Sequence, residues 1–244
     1  MNDHILTVGE GNFSFSRAVT DVLHTAHHIT ATAYDSEEVV QEKYPDAEGH
    51  TKEILNRSGT VLYSVDATDL AKYKVLRNQR FTHIIFNFPH TGSGIKDVDI
   101  NIHGNRSLIL GFLKSAIPFL TDPELYPETD LAPGKIHIAT KTGLPYDEWR
   151  VRDLAVSTRK LVCQTTMPFR AELFPGYEHR RTLGYKEGMS VGGNEEIQKS
   201  PAKLYVFVKG NITELRAMNA LAKTAKKAQP KNRQKGRALK QTSS

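Results

Sequence analysis

Cysteine is nearly absent. Cys163 is the only one in 244 residues, which excludes an internal disulfide and a cysteine-rich zinc site. It lies within an expected strand and reads as core filler rather than a nucleophile. Long hydrophobic runs are missing too: none approaches the roughly 18 residues of a membrane helix, so no membrane partner is expected. Among ten histidines only His24 and His28 have helical i, i+4 spacing. No acid separates them, they read as solvent-facing, and no metal is expected. Met1 to His4 leads straight into an apolar strand, leaving no room for a targeting peptide, and a reducing, intracellular home is expected.

Acid is scarce at one end. From Lys209 to Ser244 ten Lys/Arg face the single Glu214, so residues 1–208 carry −3 although the whole chain carries +6. The division is one domain over 1–210 and a basic, disordered or helical tail over 211–244. Lys223, Lys226, Lys227, Lys231, Arg233, Lys235 and Arg237 of that tail suit a polyanion or a nuclear import receptor. A solvated, frayed end is the plain alternative.

The first 208 residues hold alternating strand and helix signals. Apolar, β-branched runs fall at Ile5–Val8, Ile29–Tyr34, Val61–Val65, Thr82–Phe86, Lys135–Thr140, Leu161–Met167 and Lys203–Val208. Helical stripes fill most gaps: one starts near Ser14, one runs from Ser36 until Pro45, one covers Thr51–Arg57, a core helix spans Asn105–Leu120, and another spans Asp147–Lys160. Pro89–Gly104 reads as a long loop. This alternation predicts an α/β fold with a mostly parallel seven-stranded sheet covered on both faces, its ligand site at the carboxyl ends of the strands.

Polar residues gather at those ends. Gly9, Glu10, Gly11, Asn12, Phe13 and Ser14 form a glycine turn between strand and helix, where free N–H groups and the helix dipole meet a nucleotide-type cofactor. Asp35 ends the second strand and suits both ribose hydroxyls of an adenosine, or a helix N-cap. Asp66-Ala67-Thr68 ends the third and suits an adenine amine, or again a cap. Asn87-Phe88-Pro89-His90 ends the fourth. There an amide and a main-chain carbonyl can accept from an in-plane N–H, proline stiffens the turn, and histidine can stack or take a proton near neutral pH. Between Phe174 and Tyr185 aromatic rings alternate with cations. Tyr177, His179, Arg180 and Arg181 there suit a single-stranded base and its phosphates, or a packed surface loop.

The segments Val8–Ser16, Thr32–Asp35, Phe86–His90, Phe174–His179 and Thr182–Gly184 resemble those of the eukaryotic 25S rRNA (uridine-N3)-methyltransferases, a nucleolar family. The resemblance runs from about Ile5 to Val208. It implies a class I S-adenosylmethionine-dependent, Rossmann-like methyltransferase fold whose last strand is inserted antiparallel. Gly9 to Ser14 would line the methionine end of the cofactor, Asp35 the ribose, Asp66 and Ala67 the adenine, and Asn87 the cofactor and target base. The third small position of the common glycine pattern is here Ser14, in an Asn-Phe-Ser context. The implied reaction is methyl transfer to N3 of a uridine in large-subunit rRNA or a pre-ribosomal particle. The set Asn87, Pro89, His90 and His179 would carry it, with His90 as base and His179 in reserve, by a monomer in the nucleus and nucleolus. Another RNA nitrogen, a non-catalytic ribosome-assembly factor and a dinucleotide oxidoreductase are the rival readings.

Overall fold

The computed structural model describes residues 3–92, 97–125, 127, 130–180, 182, 194, 197 and 201–210. Seven strands form one sheet: β1 (Ile5–Thr7), β2 (Ile29–Thr32), β3 (Thr60–Leu62), β4 (His83–Asn87), β5 (Lys135–Lys141), β6 (Leu161–Pro168) and β7 (Ala202–Lys209). Their order is β3-β2-β1-β4-β5-β7-β6, and only β7 runs antiparallel to its neighbours. Strand order reverses beside β1, which sits between β2 and β4. In open α/β sheets that reversal opens a crevice at the carboxyl ends of the strands.

Among the described residues six α-helices cover the sheet: α1 (Ser14–Leu23), α2 (Glu37–Lys43), α3 (Ala47–Asn56), α4 (Lys74–Arg77), α5 (Val98–Ala116) and α6 (Val151–Ser157). The buried side chains form two clusters, one on each face. Leu6, Ile84, Phe86, Ile136, Ile138 and Phe207 pack with Ile109, Phe112, Leu113 and Leu154 from α5 and α6. Ile5, Ile29 and Ala31 pack with Phe15, Ala18, Val19 and Ile54 from α1 and α3.

Three helical expectations shift. α3 begins at Ala47, two residues after Pro45, instead of at Thr51. α5 begins at Val98, where Asp97 caps it by accepting the Ile100 N–H, so Gly104 lies inside a helix and not at the end of a loop. Asp147–Lys160 is split, because Arg150 adopts a left-handed conformation (φ 51°) between a 3-10 turn over Tyr146–Trp149 and α6. Cys163 is half-buried and donates its thiol to Thr165 O at the irregularity in β6. No described helix is long and apolar enough to cross a membrane.

Candidate functional site

The turn between β1 and α1 is held by backbone geometry that its sequence dictates. Gly9 has φ +67°, and an added Cβ would lie 2.4 Å from Cε2 of the Phe86 ring. No L side chain fits there. Phe13 takes the left-handed N-cap position, and its buried ring meets Tyr63 edge-on. Of the six residues predicted to hold a cofactor here, Gly9, Glu10, Gly11, Asn12 and Ser14 line a cavity of about 410 Å³. Phe13 does not, because its ring belongs to the core.

The side chains of this turn are occupied by the fold itself. The Glu10 carboxylate turns inward to the first turn of α1, accepting from Ser16 Oγ at 2.5 Å and the Ser16 N–H at 3.4 Å. Burial outweighs these bonds and raises its pKa. Asn12 Oδ1 accepts the Ser14 N–H and its Nδ2 donates to Asp46 at 2.8 Å. Ser14 Oγ both donates to Glu178 O and accepts the Glu178 N–H, each at 3.0 Å.

Asp35 and Asp66 also line the cavity, with Ala67 beside them. Asp35 is no helix cap: Ser36 caps α2 by accepting the Val39 N–H, and Asp35 instead pairs with Lys43 at 2.7 Å. Asp66 Oδ1 accepts from both the N–H and the hydroxyl of Thr68, a local turn rather than a helix cap. Tyr44 is a wall that the sequence did not single out. Burial first, then the nearby Asp35, pushes its phenol up to about 12.

At the end of β4 the Asn87 carboxamide is buried, and neither its nitrogen nor its oxygen has a hydrogen-bond partner among the described residues. It lines the cavity. An unpartnered buried amide costs about 1–3 kcal/mol, so such groups are uncommon in folded proteins. Next to it Phe88 takes φ 51° and Pro89 is buried. His90 Nδ1 accepts the Gly92 N–H at 2.9 Å. Burial, then Lys141, lowers the His90 pKa. With Nδ1 accepting, the neutral ring carries its proton on Nε2 and faces a ligand as a donor, which counts against the expected role as base. The His179 ring lies against Phe88 (4.5 Å between centroids) on the cavity wall.

The segment expected to bind RNA through aromatic rings and cations is corrected in two places. Tyr177 is 7% exposed and packed edge-on against Phe15 and Phe169, so its ring belongs to the core and to the cavity wall and not to an outer stacking surface. Arg180 is held by Asp46 at 2.9 Å and by Glu178, an ion-paired cluster that fastens this segment to α3. Arg181 and the tail cations Lys223 to Arg237 lie outside the described residues. Among the described residues no cluster of three or more His, Cys, Asp or Glu could hold a metal.

A family profile described as rRNA (uridine-N3-)-methyltransferase BTM5-like matches residues 6–181, well over half of the chain. The chain belongs to this BMT5-like family. Curated relatives include the heavy metal-associated isoprenylated plant protein 41 of Arabidopsis thaliana, 36% identical over 184 residues that make up 75% of this chain and 34% of that protein. The BMT5-like chain thus spans about a third of that relative. An uncharacterized protein of the same plant is 34% identical over 74% of this chain and 82% of its own. The 25S rRNA (uridine(2634)-N(3))-methyltransferase of Saccharomyces cerevisiae is 25% identical over 85% of this chain and 73% of its own.

Proposed function

We propose that this chain is an S-adenosylmethionine-dependent methyltransferase acting on N3 of a uridine in large-subunit rRNA during ribosome biogenesis, in the nucleus and nucleolus. The single observation that carries the reading is the orphaned, buried Asn87 carboxamide at the end of β4, on a residue that lines the cavity. The residues fit the cofactor: Gly9 and Gly11 line the cavity with bare backbone, and Asp35 and Asp66 flank it with carboxylates. The name of the yeast relative supports the substrate.

When bound, S-adenosylmethionine supplies an electrophilic methyl group on a sulfonium. The uracil N3–H is a weakly acidic imide on the pairing edge, so the base must be unpaired or flipped to enter. Asp35 accepts from the ribose hydroxyls in exchange for Lys43, and Asp66 from the adenine amine. Asn87, braced by Pro89, would accept from and donate to the uracil edge and so hold the ring in the cavity. His90 donates its Nε2–H to a uracil carbonyl oxygen as N3 loses its proton, offsetting the developing charge. His179 takes that proton.

Calorimetry with S-adenosylhomocysteine, followed by transfer of a labelled methyl group to a precursor rRNA transcript and mapping of the product nucleoside, tests the reading. Binding and label at N3 of uridine are expected. No heat with the cofactor product would end the methyltransferase reading, and label on another base nitrogen would change its substrate.

A further inference from the structure

Behind His90 stands a row of side chains set back from the cavity lining. β5 ends at Lys141, and the 3-10 turn over Tyr146–Trp149 follows it. Asp147 closes that connection: its N–H donates to Gly143 O and its Oδ2 accepts the Gly143 N–H, each at 3.0 Å. Arg106 of α5 donates to Glu148 O at 3.1 Å and ties the turn to the helix. Trp149 is thereby carried into the core and is 1% exposed. Its ring lies 6.1 Å from that of His90, tilted by 57°. Tyr146 meets the indole edge-on at 5.0 Å, and Lys141 Nζ lies 5.9 Å from the centre of the Tyr146 ring.

Packing alone does not call for an indole at this position. Its Nε1–H is buried with no acceptor among the described residues, a cost that a phenylalanine ring would not carry. The neighbour it covers has a hydrogen bond that depends on its own protonation. His90 Nδ1 accepts the Gly92 N–H only while that nitrogen is bare. A second proton would set two N–H groups against each other and open the turn after β4. The indole keeps water off the imidazole, and the Lys141 ammonium opposes a further positive charge beside it. Among the described residues no carboxylate counters them at this ring; Asp147 is engaged with Gly143 and lies 3.8 Å from Lys203.

We propose that Trp149 and Lys141 are positioning residues that hold His90 in one tautomer, with Nδ1 on the Gly92 N–H and the proton on Nε2. The locked ring follows from the packing; its bearing on methyl transfer rests on the methyltransferase reading. Under that reading the lock divides the two histidines of the cavity: His90 donates, and His179 accepts.

Nitrogen NMR of the histidine-labelled full chain, with the His90 signals assigned by their loss in His90→Gln, reads the lock directly. Nδ1 should show the shift of an unprotonated nitrogen and Nε2 that of a protonated one. The titration midpoint should lie below 6.5 in the unaltered chain and move up toward it in Lys141→Met and in Trp149→Phe. If Trp149→Phe does not fold, Lys141→Met, at a half-buried position, still decides. A protonated Nδ1, or a midpoint unmoved by Lys141→Met, would overturn the proposal. In single-turnover methyl transfer the acid limb of the pH–rate profile should move up with the midpoint in Lys141→Met. A merely structural role would lower the rate at every pH and leave the limb in place. Calorimetry with S-adenosylhomocysteine on the unaltered chain reads the methyltransferase assignment separately, since its failure leaves the titration untouched.

Discussion

One face of β4 carries a polar residue at each end, and the two are treated oppositely. His83, at the amino end, is bonded through Nδ1 to His137 Nε2 at 2.9 Å, and its Nε2 faces Asp3 at 3.5 Å. Asn87, four residues on, is half-buried, with both polar side-chain atoms buried and unmatched among the described residues. The fold accounts for the histidine, because its partners come from β5 and the chain start. Nothing described accounts for the asparagine, which in the proposed reading meets the target base.

The largest effect expected from breaking this contrast comes from Asn87→Ala. Methyl transfer should fall by about 100-fold or more, while stability holds or rises by up to about 1 kcal/mol as an unmatched buried amide is removed. His83→Ala should do the reverse, costing about 1–3 kcal/mol by leaving His137 alone and sparing turnover. Single-turnover kinetics and thermal melts on both variants make the comparison. A loss of stability in Asn87→Ala equal to that in His83→Ala would erase it.

Next in size is acid sensitivity. Burial first, then His83 and Lys135, brings the His137 pKa from 6.5 to about 3. The unfolded chain takes up a proton near 6.5 and the folded chain only near 3. The stability tied to neutral His137 is therefore whole above 6.5 and is lost as pH falls through that window, by a few kcal/mol at about 1.4 kcal/mol per pH unit. Melting temperature followed from pH 7 to pH 4 should decline, and His137→Leu should flatten the decline. An unaltered slope in that variant would place the acid sensitivity elsewhere.

The smallest of the three concerns the segment clamped over the cavity. Arg180→Ala releases Asp46 and Glu178. It should weaken cofactor binding about tenfold, the equivalent of 1.4 kcal/mol, with a smaller change in kcat. Calorimetry and steady-state kinetics separate the two, and unchanged affinity would show that the clamp does not shape the cavity.

The sheet, its parallel order and the carboxyl-end cluster were legible because strand alternation and turn residues are local signals. The first turns of α5 were not. Asp97, Asp99, Asn101 and Gly104 look like loop by composition, and only the Asp97 cap and the packing of the later turns make them helical. Tyr177 and Arg180 misled for a different reason. An aromatic–cation alternation has the same letters whether its rings face solvent or core, and the deciding contacts lie far off in sequence, at Phe15 and Asp46. The Asn12–Asp46–Arg180 network was invisible on the same ground. That Asn87 lacks a partner is a property of three-dimensional surroundings, and no spacing rule could have reported it.

Glu10 has a consequence for life in a crowded cell. The first turn of α1, where a phosphate would ordinarily settle, already holds this chain's own carboxyl group, and the Ser16 N–H is taken. ATP and the nicotinamide dinucleotides share the adenosine half of the donor and abound in every compartment. They would bring a negatively charged group to a seat that is filled. Adenosine joined to an amino acid, the donor of the proposed reading, asks for no such seat, so the filled seat discriminates against these nucleotides.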